Sequence, residues 1–216
     1  MRIVLFGAGA STIVDIEESC ARLGVEIAAI VRNVDGRNYA LAQDRLVDAD
    51  DLDPALIACP YLIPIFTPGH RLAAYEDATA RGFGRPATII DPTAVVASSS
   101  TVGQGGYVNA LAVVGGATRI GDFAFINRAA SIGHHVKIAD FVAVGPGATV
   151  CGEVSIGRGA VIAAGAMVLP AVEVGDNSVV AAGAVLRESI PANCLAAGNP
   201  AKVVRTDYAG FRGFSV

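Results

Sequence analysis

From Arg119 to Val168 the chain reads RIGDFAFINRAASIGHHVKIADFVAVGPGATVCGEVSIGRGAVIAAGAMV, and Ile120, Ile126, Ile132, Ile138, Val144, Val150, Ile156, Ile162 and Val168 fall at every sixth residue of it. The same register runs without a slip from Ile90 to Leu186, seventeen positions that are all branched aliphatics. A helix repeats its faces every 3.6 residues and a strand every 2, so neither alone produces a period of six. A short fixed repeat with β-branched pivots describes a solenoid, in which each coil buries a ring of aliphatics against the next. Burial of each pivot contributes roughly 1.5–3 kcal/mol, which makes the solenoid a main source of stability.

Two places before each pivot stands a small residue, from Ala94 and Ser100 through Ala112, Thr118 and Ala130 to Ser178 and Ala184, and nothing larger than Val occurs there. Such residues suit a narrow interior. Gly or Asn often follows the pivot, as at Gly103, Asn109, Gly115, Asn127, Gly133 and Gly145, where corners are expected to need a permissive backbone. The pattern resembles the hexapeptide-repeat left-handed β-helix, in which three hexads close one triangular coil.

Composition bounds the rest. The 216 residues leave room for two modest domains, and the 6% aromatic content with no Trp matches a prism too narrow for large rings. A net charge of −4 supplies no basic face and argues against nucleic-acid binding. The opening MRIVLFGAGA reads as a first strand and turn rather than a signal peptide, and no stretch reads as a membrane span. Cys20, Cys59, Cys151 and Cys194 are irregularly spaced, which fits free thiols in a reducing cytoplasm.

Residues 1–88 carry different punctuation. Arg2–Gly7 reads as a strand, followed by the turn Gly7-Ala8-Gly9 and a helix whose apolar face is Ile13, Ile16, Cys20 and Leu23, ended by Gly24. Val25–Val31 and Leu62–Phe66 read as further strands and Arg71–Arg81 as a second helix. This alternation predicts an α/β Rossmann-like domain over 1–88, with ligands near the carboxyl ends of its strands, ahead of a β-helix domain over 89–216. A hinge is expected at Gly82–Asp91, so that the prism would fold alone. The turn has the first two glycines of G-x-G-x-x-G but Thr12 in place of the third, a weak dinucleotide signal.

Of three histidines, His134 and His135 fall two and three places after the pivot Ile132, at a corner from which both can point outward. With 18 residues per coil, His134 stacks between Gly116 and Gly152, which leave room for a substrate, and His135 between Ala117 and Glu153. Imidazole titrates near neutrality and suits a general base.

The domain order, the segment Asn127-Arg128-Ala129-Ala130-Ser131-Ile132-Gly133-His134-His135 and the ending Ala197-Gly198-Asn199-Pro200-Ala201-Lys202 together resemble the bacterial sialic-acid O-acetyltransferase and nucleotide-amino-sugar N-acetyltransferase family over residues 2–205. The resemblance implies acetyl transfer from acetyl-coenzyme A to an amino or hydroxyl group of a sugar in surface-glycan biosynthesis, by a cytoplasmic homotrimer without a metal. It places the general base at His134. His135 stands where the family commonly has an acid, and Glu153 is the candidate carboxylate in its stead. Ala143, Gly152, Ala164 and Ala182 match donor-contacting positions, while Lys202 and Arg205 are candidate partners for the donor's phosphates.

For the acceptor, the resemblance points to Gly9, Ala10 and Ser11 in the turn and to Arg32 and Asn33 after the second strand. Ser11 replaces the family's histidine, and Arg32 and Asn33 replace its acids, a departure from the uridine-binding pattern. Arg32, His70 and Arg71 are either cations for a phosphate or an acidic sugar, or surface residues. Phe123, Phe125, Phe141 and Met167 are the large apolar candidates for contacts between copies. Two other classes stay open: a non-catalytic sugar-binding or scaffolding protein, and a carbonic-anhydrase-like metalloenzyme, which would need a third histidine in the prism.

Overall fold

The computed structural model describes residues 1–216. The N-terminal domain is a four-stranded parallel sheet in the order β3-β2-β1-β4, formed by β1 (Arg2–Phe6), β2 (Glu26–Arg32), β3 (Leu46–Asp48) and β4 (Tyr61–Leu62). Helix α1 (Ile13–Leu23) follows the glycine turn. It ends where Gly24 adopts φ 66 and its N–H reaches the carbonyls of Ala21 and Cys20. Ile13, Ile16 and Cys20 are buried as the apolar spacing predicts, but Leu23 stays 39% exposed on the last turn. The strand expected over Leu62–Phe66 stops at Leu62. Pro64, two residues on, has no N–H to offer a ladder. β3 was not legible, because three residues carry too little periodicity. α2 is one turn (Pro54–Ile57), and α3 (Pro68–Ala80) begins three residues earlier than expected, with Pro in its first turn.

Each of the seventeen pivots ends a two-residue strand, from Ile89–Ile90 to Val185–Leu186, and every strand pairs in parallel with the one 18 residues on. Ile132, for example, sits in register with Val114 on one side and Val150 on the other. Three faces result. Face 1 carries Tyr107, Phe125, Ala143, Val161 and Val179 outward; face 2 carries Val95, Val113, Ser131, Thr149 and Met167; face 3 carries Thr101, Arg119, Lys137, Ser155 and Glu173. The small inward positions are buried throughout. The hydroxyls of Thr118 and Ser178 are satisfied by the carbonyls of Gly133 (2.7 Å) and Pro191 (2.6 Å).

The corners work differently from the expectation. The residue right after the pivot is not the left-handed one; at Gly133 a Cβ would lie 2.6 Å from the Gly152 nitrogen of the next coil, so glycine there allows coils to stack. Positive φ falls two places later, at Phe123, Ala129, His135, Phe141 and Glu153. Non-glycine residues fill most of these positions despite a cost of roughly 1–2 kcal/mol each.

The N-terminal domain lies on face 1. Tyr107, Phe125, Ala143, Val161 and Val179 share one buried cluster with Ile3, Leu5, Ile13 and Ile16. Phe123 and Phe141 stack at 5.1 Å under Tyr75 of α3. Phe125 is 1% exposed, so the three phenylalanines expected between copies instead hold the two domains of one chain together. Arg71 completes this junction. Fully buried with no carboxylate beside it, it donates to the carbonyls of Ile65, Phe66, Phe123, Phe141 and Val142 at 2.6–3.1 Å. Burial pulls its guanidinium down to about 9, still protonated at neutral pH.

No free hinge exists at Gly82–Asp91. Ala87, Ile89 and Asp91 are buried, and the Asp91 carboxylate accepts from Ser19 (2.6 Å) and Arg22 (2.6 Å) of α1 and from Thr93 (2.6 Å). Burial alone would raise the Asp91 carboxyl, but those hydrogen bonds outweigh it and hold the group well below the usual carboxylate range. The prism cut free of its partner domain would present Tyr107, Phe123, Phe125 and Phe141 to water, so independent folding of residues 88–216 is not expected.

Candidate active site

Where the N-terminal domain overhangs the corner between faces 1 and 2, a cleft of about 1340 Å³ opens. One wall is the glycine turn with Gly9, Ala10, Ser11 and Thr12, together with Asn33 after β2 and His70 on α3. The other is the prism corner, with Asn127, Arg128, Pro146, Ala164 and Ala182 on successive coils. The loop after β2 brings Val34 and Tyr39 to the rim. It is pinned by the buried Glu17 carboxylate of α1, which accepts the backbone N–H groups of Leu41 (2.8 Å) and Ala42 (2.9 Å).

A polar chain runs from the domain junction into this cleft. Ser19 bonds the Tyr107 hydroxyl at 2.8 Å, Tyr107 donates to Asn109 Oδ1 at 2.9 Å, and Asn109 Nδ2 donates to Asn127 Oδ1 one coil away at 3.0 Å. Asp15, on the cleft side of α1, pairs with Arg128 at 3.1 Å and accepts from Asn109 at 3.3 Å. These residues escaped the sequence reading. Asn109 and Asn127, 18 apart and each just after a pivot, were the available signal of a stacked ladder; Asp15 and Arg128 had none, being 113 residues apart.

His134 is elsewhere. It stands at the corner between faces 2 and 3 with its ring exposed, lying over Gly152, where a Cβ would come within 2.7 Å of its Cε1. Its Nδ1 is 3.0 Å from Nδ1 of His135, with the two rings nearly perpendicular. His135 has φ 58, and that left-handed turn swings its ring back against its neighbour. Glu153 forms no hydrogen bond or ion pair with either imidazole. The supporting contact to His134 is therefore His135, and the expected role of Glu153 has no geometric basis.

Of the other expected site residues, Gly9, Ala10, Ser11, Asn33, Ala164 and Ala182 line the cleft. Asn33 is held by a hydrogen bond to Asp77 at 3.2 Å. Arg32 does not reach the cleft: it is opposite Asp48 in the β2–β3 pairing and bonds that carboxylate at 2.7 Å. Ala143 is sealed under the N-terminal domain and out of reach of any ligand. Lys202 pairs with Glu188 at 3.2 Å, and the Arg205 guanidinium lies 5.4 Å over the Tyr208 ring. No group of three or more His, Cys, Asp or Glu side chains converges as a metal site would need.

Comparison with known proteins agrees with this architecture. The bacterial transferase hexapeptide model of six repeats matches residues 153–188. The acetyltransferase domain of PglB from Neisseria gonorrhoeae, solved with acetyl coenzyme A, is 30% identical, covering 94% of this chain and 98% of that one with a TM-score of 0.82. The chain belongs to the hexapeptide-repeat acetyltransferase family. Its prism is accordingly the left-handed β-helix. PerB from Caulobacter crescentus, solved with CoA and GDP-perosamine, is 29% identical with 95% and 98% coverage and a TM-score of 0.79. A mutant of perosamine N-acetyltransferase from that organism, with a histidine changed to asparagine and the same two ligands, gives 29% identity, 95% and 97% coverage and a TM-score of 0.80. A sequence comparison with curated proteins gives no significant match. No helix of this acetyltransferase is long and apolar enough to cross a membrane.

Proposed function

We propose that this acetyltransferase moves an acetyl group from acetyl-coenzyme A to an amino or hydroxyl group of a nucleotide-linked sugar, in a homotrimer whose sites each join the cleft of one copy to His134 of the next. The observation that carries this is the placement of the two halves on opposite edges of face 2. Face 1 is covered by the N-terminal domain and face 3 is polar, whereas face 2 exposes Val95 (62%), Val113 (44%) and Met167 (38%). An apolar face in water favours self-association. Packing face 2 against a neighbour brings a cleft corner toward a histidine corner. Four free cysteines fit a cytoplasmic setting.

The acceptor sugar is read into the domain-side wall, with the glycine turn and the start of α1 toward its phosphates. The donor arm runs along Pro146, Ala164 and Ala182, whose small outward groups permit close approach. In the tautomer in which His134 Nδ1 donates to His135 Nδ1, the Nε2 of His134 keeps its lone pair. That lone pair takes the acceptor's proton as its nitrogen or oxygen attacks the thioester carbon, and the carbonyl pair moves onto oxygen. The tetrahedral species collapses, the C–S bond breaks, and the proton on Nε2 passes to the departing thiolate. Acetylated sugar, free thiol and neutral histidine result. His135 orients the base without adding negative charge.

Subunit mixing tests this. His134→Ala and Ala164→Phe are each expected to be nearly inactive. A reassorted equal mixture should regain about a quarter of wild-type turnover, because in a cyclic trimer that fraction of interfaces unites an intact histidine with an intact cleft. No recovery after demonstrated exchange, or a fully active monomer by sedimentation, would overturn the two-copy site.

A further inference from the structure

The chain does not end with the prism. After the hairpin formed by Leu195–Gly198 and Ala201–Arg205, the last residues return across the mouth of the cleft. Tyr208 donates its N–H to the Asn193 carbonyl at 2.7 Å, and Phe211 meets Phe66 edge-on at 6.1 Å. Phe214 packs on His70 at 4.1 Å, and the Val216 N–H reaches Asn177 Oδ1 at 2.8 Å. Two glycines elsewhere make room for this path. A Cβ at Gly69 would lie 2.6 Å from that of Phe214, and one at Gly159 would lie 2.7 Å from that of Val216. A segment anchored at four points, with glycines opposite it, is a built part of the fold.

Within it, Arg212 has φ 61 between Gly210 (φ 80) and Gly213 (φ 84). Left-handed backbone at an arginine costs roughly 1–2 kcal/mol, and here it turns the residue onto the cleft it lines. The charges already there are accounted for. Arg128 is paired with Asp15, and Asp77 with Arg81 and Asn33. Arg212 alone among the lining guanidiniums has no carboxylate partner. Its nearest company is the ring of Phe211 at 5.8 Å.

We propose that residues 208–216 form a strap that completes the cleft, and that Arg212 on this strap binds a phosphate of the bound substrate. The assignment rests on the acetyltransferase reading of the cleft. A planar guanidinium beside a neutral aromatic wall suits a phosphate or diphosphate. Both substrates carry such groups, so the donor's phosphates and the acceptor's diphosphate are the two sources to separate.

Calorimetric titration of full-length wild type, Arg212→Gln and Arg212→Lys separates them, using acetyl-CoA, 3′-dephospho-acetyl-CoA, UDP and GDP as probes. Loss of one charge-assisted contact should weaken the affected probe about tenfold in Arg212→Gln, with partial recovery in Arg212→Lys. A defect for acetyl-CoA that vanishes with the dephospho form assigns the donor's 3′-phosphate, and one that persists assigns its diphosphate. A defect confined to UDP or GDP assigns the acceptor. Phe214→Ala, which loosens the strap and keeps the charge, should weaken the same probe by a smaller factor. If wild type binds and Arg212→Gln matches it within twofold for all four, the Arg212 assignment falls alone; if wild type binds none, the reading of the cleft falls with it.

Discussion

Replacing Gly152 with alanine perturbs His134 without touching it chemically. The new Cβ would sit 2.7 Å from Cε1 and 2.8 Å from Nε2 of the His134 ring, where ordinary contact begins near 3.4 Å. Gly152 has no positive φ, so alanine is tolerated by the backbone and the ring is what yields. The imidazole must retreat by about 0.7 Å, and its 3.0 Å contact to His135 is disturbed in the process. A displacement near 1 Å in a catalytic arrangement can lower the rate about 10²-fold, so kcat should fall roughly 10–10²-fold. Stability should change by under about 0.5 kcal/mol because the displaced ring is exposed. The assay is thiol release from saturating acetyl-CoA with a nucleotide amino sugar that wild type accepts, beside a thermal melt. Turnover within twofold of wild type at unchanged Tm would refute the placement of His134 as base. A raised KM for acetyl-CoA with normal kcat would instead make Gly152 a donor contact.

His134→Ala should lower kcat by about 10²–10⁴-fold with little change in acetyl-CoA affinity, His135→Ala should cost less, and Glu153→Gln should leave the pH profile of turnover unchanged; a shifted profile for Glu153→Gln would restore its carboxylate to the site. Arg71→Met should destabilise the fold by at least about 3 kcal/mol in denaturant titration, since it strands five carbonyls at the domain junction; a loss under about 1 kcal/mol would mean those groups find water. Asp91 has a depressed folded pKa, so its stabilisation is present above the ordinary carboxylate value near 4 and is lost as pH falls below it. Asp91→Asn should therefore lower Tm at neutral pH and flatten the acid limb of the stability curve, and an unchanged acid limb would remove Asp91 from the account.

Much of the site could be read from local pattern. The corner position of His134, its glycine floor and the small residues at 164 and 182 all follow from counting in units of six and eighteen, because a solenoid converts sequence distance directly into height and edge. That conversion fails for whatever lies across face 1. Phe123, Phe125 and Phe141 occupy outward positions, where large apolar residues signal a cover without saying which cover. Ala143 satisfied the small-residue pattern of a donor contact, yet its outward direction places it beneath α1 and the parallel sheet. Arg71 and Arg32 were equivalent as sequence, and their contrast depends on one being aimed into a junction of carbonyls and the other being opposite Asp48.

The sequence by itself determined the prism, its register, its three edges, the α/β character of residues 1–88 and the presence of an outward histidine pair. Periodic burial of branched aliphatics repeats the same local free-energy choice at every coil, so the pattern survives in one dimension. Only the tertiary structure decided which face the N-terminal domain covers, that the cleft and His134 lie on different edges of the prism, that Asp15 meets Arg128 and that the C-terminal strap brings Arg212 to the cleft. Those contacts join residues far apart in the chain through packing of non-repeating surfaces, where shape complementarity and the need to satisfy buried polar groups decide the partner and no sequence period records it.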